Sequence, residues 1–180
     1  MMMDRRIPWD EIGEVLGSRL VIQAADLTRE LMDKQSDAWP LHPDFTSDRW
    51  RYEFCIFHMF WTWYIANSSR LSTYGATKPL LDHYYSACYR AMTAADLVSA
   101  ATYPRWKEDI EQRFPAYKQA FEREDKTGLR IYSGTVGYVF LRFVEPEKEP
   151  PGLAIIMTEV GSIIFRELVA YIERLEERYG

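Results

Sequence analysis

The chain has 180 residues, of which 47% are hydrophobic and 27% are charged, and its formal net charge is −5. These values are typical of a soluble globular protein, and the length predicts one domain spanning residues 1–180. Lysines and arginines are scattered without a basic arm or face, so nucleic acid is not expected as a partner. The first residues lack an apolar leader and the two cysteines form no disulfide framework, so we expect a cytoplasmic protein.

Apolar residues recur at helical spacing along most of the chain, which predicts an all-α, single-domain bundle of five or six helices. The first helix is predicted from about Pro8 to about Lys34. Its core stripe is formed by Trp9, Ile12, Leu16, Leu20, Leu27 and Leu31. Gly13 and Gly17 form a GxxxG spacing, which favours a close helix crossing. Residues 36–47 contain two prolines and predict an apolar loop that packs on the bundle.

The second predicted helix, Asp48–Ser69, organises the rest of the chain. Its segment 50–64 contains eight aromatic residues among fifteen. Helical spacing places one aromatic stripe along it, formed by Trp50, Phe54, Phe57, Trp61 and Tyr64. The opposite side carries small or soft residues, and a helix that is apolar nearly all round is either buried or in a membrane. Residues 54–66 carry no formal charge, a run shorter than the ~20 residues of a membrane span. The sequence therefore predicts a central core helix and no membrane span.

Glu53 is the only acid on the aromatic face of this helix. A buried carboxylate needs a partner or a raised pKa. One interpretation pairs Glu53 with Arg49, one helical turn earlier. The other places it at the border of a cavity with Trp61 and Tyr64, and this second interpretation is the prediction we make. The candidate ligand-binding residues are Trp50, Glu53, Phe57, Trp61, Tyr64 and Ser68.

The third helix is predicted from Thr77 to near Ala101. His83 falls on its outer face and is predicted to be exposed. The same helix carries a tyrosine cluster, which we interpret as core, with a ligand-lining wall as the alternative. The cluster consists of Tyr84, Tyr85 and Tyr89.

The fourth helix is predicted to begin at Pro104, and Pro115 marks either a kink or the start of another helix. The segment 135–144 fits helical spacing, although a β-hairpin over 129–144 is the alternative because β-branched and aromatic residues are abundant there. The last helix is predicted over Leu153–Arg178.

Sequence motifs for catalysis and for metal or phosphate binding are absent, including HExxH, GxSxG, paired Glu-x-x-His and the phosphate-binding loops. A mixed metal site from Glu53, His58 and Asp82 requires helix faces that the spacing assigns to different directions. We therefore expect no metal and no cofactor.

Three functional hypotheses follow from this sequence. The first is a helical interaction module without enzymatic activity that binds itself or another protein, and its surplus apolar surface predicts a homodimer. The second is a bundle that binds a small apolar or aromatic ligand in a pocket around residues 48–69. The third is a metal- or acid-assisted enzyme that uses Glu53 and His58.

Overall fold

The computed structural model describes residues 8–33, 47–69, 75, 77–126, 135–144 and 151–179. These residues form six α-helices and contain no strand. The helices are α1 (Trp9–Asp33), α2 (Ser47–Ser68), α3 (Thr77–Ala94), α4 (Tyr103–Lys126), α5 (Thr135–Val144) and α6 (Pro151–Tyr179). The predicted all-α bundle is confirmed, and residues 135–144 form a helix and not the alternative hairpin. Among the described helices, none is both long enough and apolar enough to cross a membrane.

The aromatic helix α2 is central, because every other described helix packs against it. Its two sides meet different neighbours. On the soft side, the Thr62 hydroxyl donates to the Tyr84 hydroxyl of α3 at 3.2 Å. On the aromatic side, Phe57 packs against Tyr117 of α4 and Phe140 of α5, with ring centroids 5.1 and 5.2 Å apart. The sequence pattern of α2 therefore places it between α1 and α3 on one side and α4 to α6 on the other.

The GxxxG spacing of α1 marks the predicted close crossing, and the crossing helix is α3. A Cβ atom added to Gly13 would lie 2.7 Å from the carbonyl carbon of His83, and one added to Gly17 would lie 2.6 Å from the Cβ of Ala87. Such distances are closer than side chains tolerate, so glycine allows the two backbones to approach. His83 itself is exposed, as predicted.

The predicted end of α3 near Ala101 was wrong, because the helix ends at Ala94. Asp96 adopts a positive φ of 58°, and the Leu97 amide donates to the carbonyl of Met92 at 2.9 Å. The Asp96 amide also donates to the carbonyl of Thr93 at 3.1 Å. This is the Schellman arrangement, with aspartate at the position that glycine usually occupies.

Helix α4 continues through Pro115, so the alternative of a second helix beginning there was wrong. Pro115 lies on the exposed side of α4, where water can bond the carbonyl that loses its amide donor. The predicted loop 36–47 lies almost entirely outside the described residues, and so do its apolar residues Trp39, Leu41 and Phe45. The part of the alternative hairpin before residue 135 also lies outside them.

Candidate functional site

The C-terminal end of α2 and the second half of α6 border a cleft of about 320 Å³, called here the α2–α6 cleft. Its walls are apolar and aromatic, with a few polar groups among them. The lining residues are Tyr64, Ile65, Ser68, Ser69, Phe165, Val169, Ile172 and Glu173. Ser68 and Glu173 are exposed, so the cleft is open to solvent on their side.

The apolar wall of the cleft follows from the spacing of α6. Phe165, Val169 and Ile172 recur at intervals of four and three, which places them on one side of the helix. Phe165 is held by a ring contact with Trp61, whose centroid lies 5.5 Å away. Tyr64 is held in the same way, by an edge contact with Phe121 of α4 at 5.1 Å. The aromatic part of the wall is thus fixed by core packing.

The two serines of the cleft, Ser68 and Ser69, lie at the end of α2, and Glu173 lies on α6. The carbonyl of Ala66 accepts bonds from the Ser69 hydroxyl at 2.9 Å and from the Thr77 hydroxyl at 3.1 Å. These bonds satisfy one of the last helical carbonyls and attach the start of α3 to the end of α2. Glu173 faces the same cleft, and its carboxylate has no ion-pair partner in the part of the chain that the structure describes.

The six candidate ligand-binding residues do not come together at one place. Tyr64 and Ser68 line the cleft. Trp61 lies one layer behind them, in contact with Tyr64 at a centroid distance of 6.4 Å, and is 3% exposed. Trp50 and Phe57 are buried deeper, and both pack against Phe140 of α5. The rings predicted to form the floor of a pocket are therefore packed against rings of other helices, which occupy most of the space beside them.

Glu53, the sixth candidate, is 4% exposed and does not line the cleft. The predicted position at the border of a cavity is therefore wrong, and so is the alternative pairing with Arg49, because Arg113 of α4 holds the carboxylate. The Arg113 Nε and a terminal nitrogen donate to the two carboxylate oxygens at 2.7 Å each, a bidentate geometry. Arg49 instead donates to the carbonyl of Phe143 at 3.0 Å.

The Glu53–Arg113 pair extends into a buried polar network between α2 and α4. Arg113 also donates to Asp109 at 2.7 Å, and Asp109 accepts a bond from the Tyr52 hydroxyl at 2.6 Å. The guanidinium carbon lies 4.6 Å from the centroid of the Phe143 ring, which adds a cation–π contact with α5. The network thus connects α2 and α4 through charge-assisted bonds and reaches α5 through the cation–π contact.

Burial determines the electrostatics of this network. Loss of hydration raises the pKa of Glu53, and the bonds from Arg113 act against that rise. Burial works to lower the pKa of Arg113, but the carboxylates of Glu53 and Asp109 raise it, so the guanidinium stays charged. Burial and the bond to Asp109 raise the pKa of Tyr52. The short bidentate geometry is that of an ion pair, and its evident role is to hold α4 against α2.

His58 lies on the soft side of α2 and is 4% exposed. Its Nδ1 lies 3.5 Å from the Tyr84 hydroxyl. Burial lowers the pKa of His58 to about 4, so the ring is neutral at neutral pH. Burial also raises the pKa of Cys55, to about 12, which leaves the thiol protonated and unreactive.

The three residues of the conceivable metal site do not converge. Glu53 faces α4, His58 faces α3, and Asp82 is exposed and paired with Lys78. Within the described ranges, no group of three or more histidine, cysteine, aspartate or glutamate side chains could hold a metal ion.

The wall contributed by α6 was missed in the sequence, although a signal was present. The stripe that identifies this helix as core includes Ile164 and Leu168. Phe165, Val169 and Ile172 form a second apolar stripe beside the first, wider than one packed face requires. An apolar surface wider than one packing face predicts a second contact surface, and in this protein the second stripe borders the cleft.

No protein-family model matches this chain, and neither does any curated protein or solved structure. What the protein does must therefore follow from the residues of its cleft and of its buried polar groups.

Proposed function

We propose that this protein is a helical binding module that holds a small apolar or aromatic group in the α2–α6 cleft. The observation that carries the proposal is the cleft itself, at about 320 Å³, with apolar walls and a few polar groups among them. Ligand sites in proteins are concave, mostly apolar, and usually ~300–1,000 Å³ in volume. Ring contacts to Trp61 and Phe121 support a preformed wall, which lowers the entropic cost of binding.

Binding fits the geometry better than catalysis by Glu53 and His58. A general acid or base must reach the proton that it transfers, within hydrogen-bond distance of the substrate. Each of these two side chains is 4% exposed, neither lines the cleft, and Glu53 is fully engaged by Arg113. Their burial supports structural roles for both groups.

The proposal is tested with a neutral fluorescent apolar probe, N-phenylnaphthylamine, titrated into the folded protein. We expect saturable fluorescence enhancement, and we expect Val169→Phe, which fills the cleft, to weaken binding roughly tenfold or more, because each ~1.4 kcal/mol of lost contact is tenfold. The control is Val15→Phe, which makes the same change on the exposed face of α1. The proposal fails if the probe does not saturate, or if Val169→Phe binds it as well as Val15→Phe does.

Self-association is the second candidate function, and exposed apolar residues favour it. On α1, Val15 and Ile22 are 44% and 62% exposed, and their spacing of seven places them on one face. Ile163 of α6 is 44% exposed. Exposed apolar surface that recurs on one face marks contact sites, and two-fold dimers are the commonest assembly.

Light scattering coupled to size-exclusion chromatography tests this candidate. We expect a species of twice the 21.3 kDa chain mass that Ile22→Glu converts to a monomer. A wild-type monomer at high concentration, or a dimer that Ile22→Glu leaves intact, would show that α1 is not the contact face.

The expected cytoplasmic location is supported by Cys55 and Cys88, both buried as free thiols.

A further inference from the structure

We infer that the ligand of the α2–α6 cleft is an amphiphilic cation, with an ammonium group beside Glu173 and an apolar body between the two helices. This inference rests on the binding function proposed above and narrows it to one chemical class. Three independent features of the cleft favour a cation over a neutral or an anionic ligand.

The first feature is the charge of the lining. Among the described residues that line the cleft, Glu173 is the one charged residue, and no described residue forms an ion pair with it. The remaining polar groups are the hydroxyls of Ser68 and Ser69, with that of Tyr64. A cation bound here would gain an opposite charge, while a carboxylate or phosphate would be placed against a like charge.

The second feature is the direction of α2. The cleft lies at its C-terminal end, where Ser68 is the last helical residue. The carbonyls of a helix C-terminus carry a partial negative charge that favours cations. The last turn of α2, within the helix Ser47–Ser68, contains no basic residue. The helix end and Glu173 therefore act on a bound charge in the same direction.

The third feature is the wall around these groups. Ile65, Val169 and Ile172 offer aliphatic surface for an apolar body, and Phe165 and Tyr64 offer aromatic surface. An ammonium group near an aromatic face gains a cation–π contact. A volume of about 320 Å³ is at the lower end of ligand sites, which limits the ligand to a single aryl-alkyl or short alkyl chain.

The experiment compares three probes that carry the same phenylbutyl body, namely 4-phenylbutylamine, 4-phenylbutanol and the carboxylate 5-phenylpentanoate. Each is titrated against the protein by calorimetry and by displacement of N-phenylnaphthylamine. We expect the amine to bind roughly five- to tenfold more tightly than the alcohol, as the sum of an exposed ion pair and a helix-terminus effect, and the carboxylate to bind most weakly. Added salt should reduce the advantage of the amine.

Glu173→Gln should weaken amine binding roughly three- to fivefold and leave alcohol binding unchanged. The matched control is Glu167→Gln, which removes the same charge from the exposed side of α6 outside the cleft and should change neither affinity. Equal binding of all three probes, a preference for the carboxylate, or an amine affinity that Glu173→Gln leaves unchanged would overturn the cation inference and leave the binding function standing. If neither the three probes nor N-phenylnaphthylamine bind, the proposed function itself fails.

Discussion

Arg113→Met removes the cation from the buried polar network and keeps an apolar side chain of similar length. In the wild type, Arg113 is 7% exposed and makes three bonds of 2.7 Å, two to Glu53 and one to Asp109. The variant leaves the Glu53 carboxylate buried without its cation, whereas Asp109 still has the exposed Arg105 at 3.9 Å. Removing one partner of a buried ion pair costs about 3–5 kcal/mol, because the remaining charge stays uncompensated. We expect a loss of about 4 kcal/mol in the free energy of unfolding.

A double variant separates the pair from the rest of the network. Glu53→Leu combined with Arg113→Met removes both charges of the bidentate pair, and the desolvation cost of the pair disappears with them. Such replacements of a whole buried pair are often neutral, so the double variant should regain most of the lost stability, to within about 2 kcal/mol of the wild type. Asp109 keeps its bond from the Tyr52 hydroxyl in that background.

The assay is urea unfolding at neutral pH, followed by far-ultraviolet circular dichroism and extrapolated linearly to water. Arg105→Met is the matched control, because Arg105 lies 3.9 Å from the same Asp109 but has an 81% exposed side chain. An exposed pair contributes little, so this control should lose under about 0.5 kcal/mol. A single variant within about 1 kcal/mol of the wild type, or a double variant no better than the single, would refute the reasoning.

The pH dependence of Arg113→Met gives an independent check on the same network. Burial raises the pKa of Glu53 in the folded protein, and loss of the cation raises it further. A group whose folded pKa lies above its unfolded value binds its proton more tightly in the folded state, so folding gains stability as the pH falls. The difference in free energy of unfolding between the wild type and Arg113→Met should therefore become smaller in mild acid. A deficit that grows as the pH falls would mean that Glu53 is not the stranded charge.

Three further outcomes are expected. Trp61→Ala should cost about 3–5 kcal/mol of unfolding free energy, since the ring is buried among other rings, and an unchanged urea midpoint would contradict this. Gly17→Ala should lower the free energy of unfolding by about 1–3 kcal/mol, because the added Cβ would lie 2.6 Å from that of Ala87. Replacing glycine with alanine inside a helix usually stabilises it, and such a gain here would mean that α1 and α3 are further apart. Burial lowers the pKa of His58 to about 4 from 6.5, so the unfolded state binds the proton first as the pH falls, and roughly 3 kcal/mol of stability should be lost between these values. His58→Gln should abolish that loss relative to the wild type, whereas His83→Gln at an exposed position should not; equal pH profiles for the two variants would exclude His58 as its source.

Helical periodicity is local information, and it predicted the helices well. The aromatic density of segment 50–64 identified α2 as central, and every described helix does pack against it. The end of α3 was missed because aspartate at position 96 takes the left-handed conformation that glycine usually signals. Pro115 was ambiguous because a proline on the exposed side of a helix costs less than one in the core, and the sequence does not state the local geometry.

The spacing of residues along one helix does not predict contacts between residues that are far apart in the sequence. Spacing suggested Arg49 as a partner of Glu53 because it lies one helical turn away, whereas the observed partner, Arg113, is 60 residues further along the chain. Several arginines lie on other predicted helices, and only the fold selects one of them. Tyr64 and Ser68, two of the candidate ligand-binding residues, line the cleft, and their role in binding stays a prediction. Its other wall depends on the approach of α6, which no pattern within α2 contains.

The position of the cleft along α2 separates the residues that stabilise the fold from those of the proposed binding site. In the middle of the helix, Phe57 and Trp61 are surrounded by rings from α4, α5 and α6, so the aromatic density there is used for packing. In the last turns, Tyr64 is half-buried and Ser68 is exposed, and the space beside them is not filled by the described side chains. A change at Trp61 therefore alters the core and the wall of the cleft together, and its effect on binding cannot be assigned to either. Changes at Ser68 or at Glu173 across the cleft remove no core contact and should leave the unfolding free energy within about 0.5 kcal/mol of the wild type. Such variants can report on binding without unfolding the protein, and a large loss of stability in either would show that the end of α2 belongs to the core.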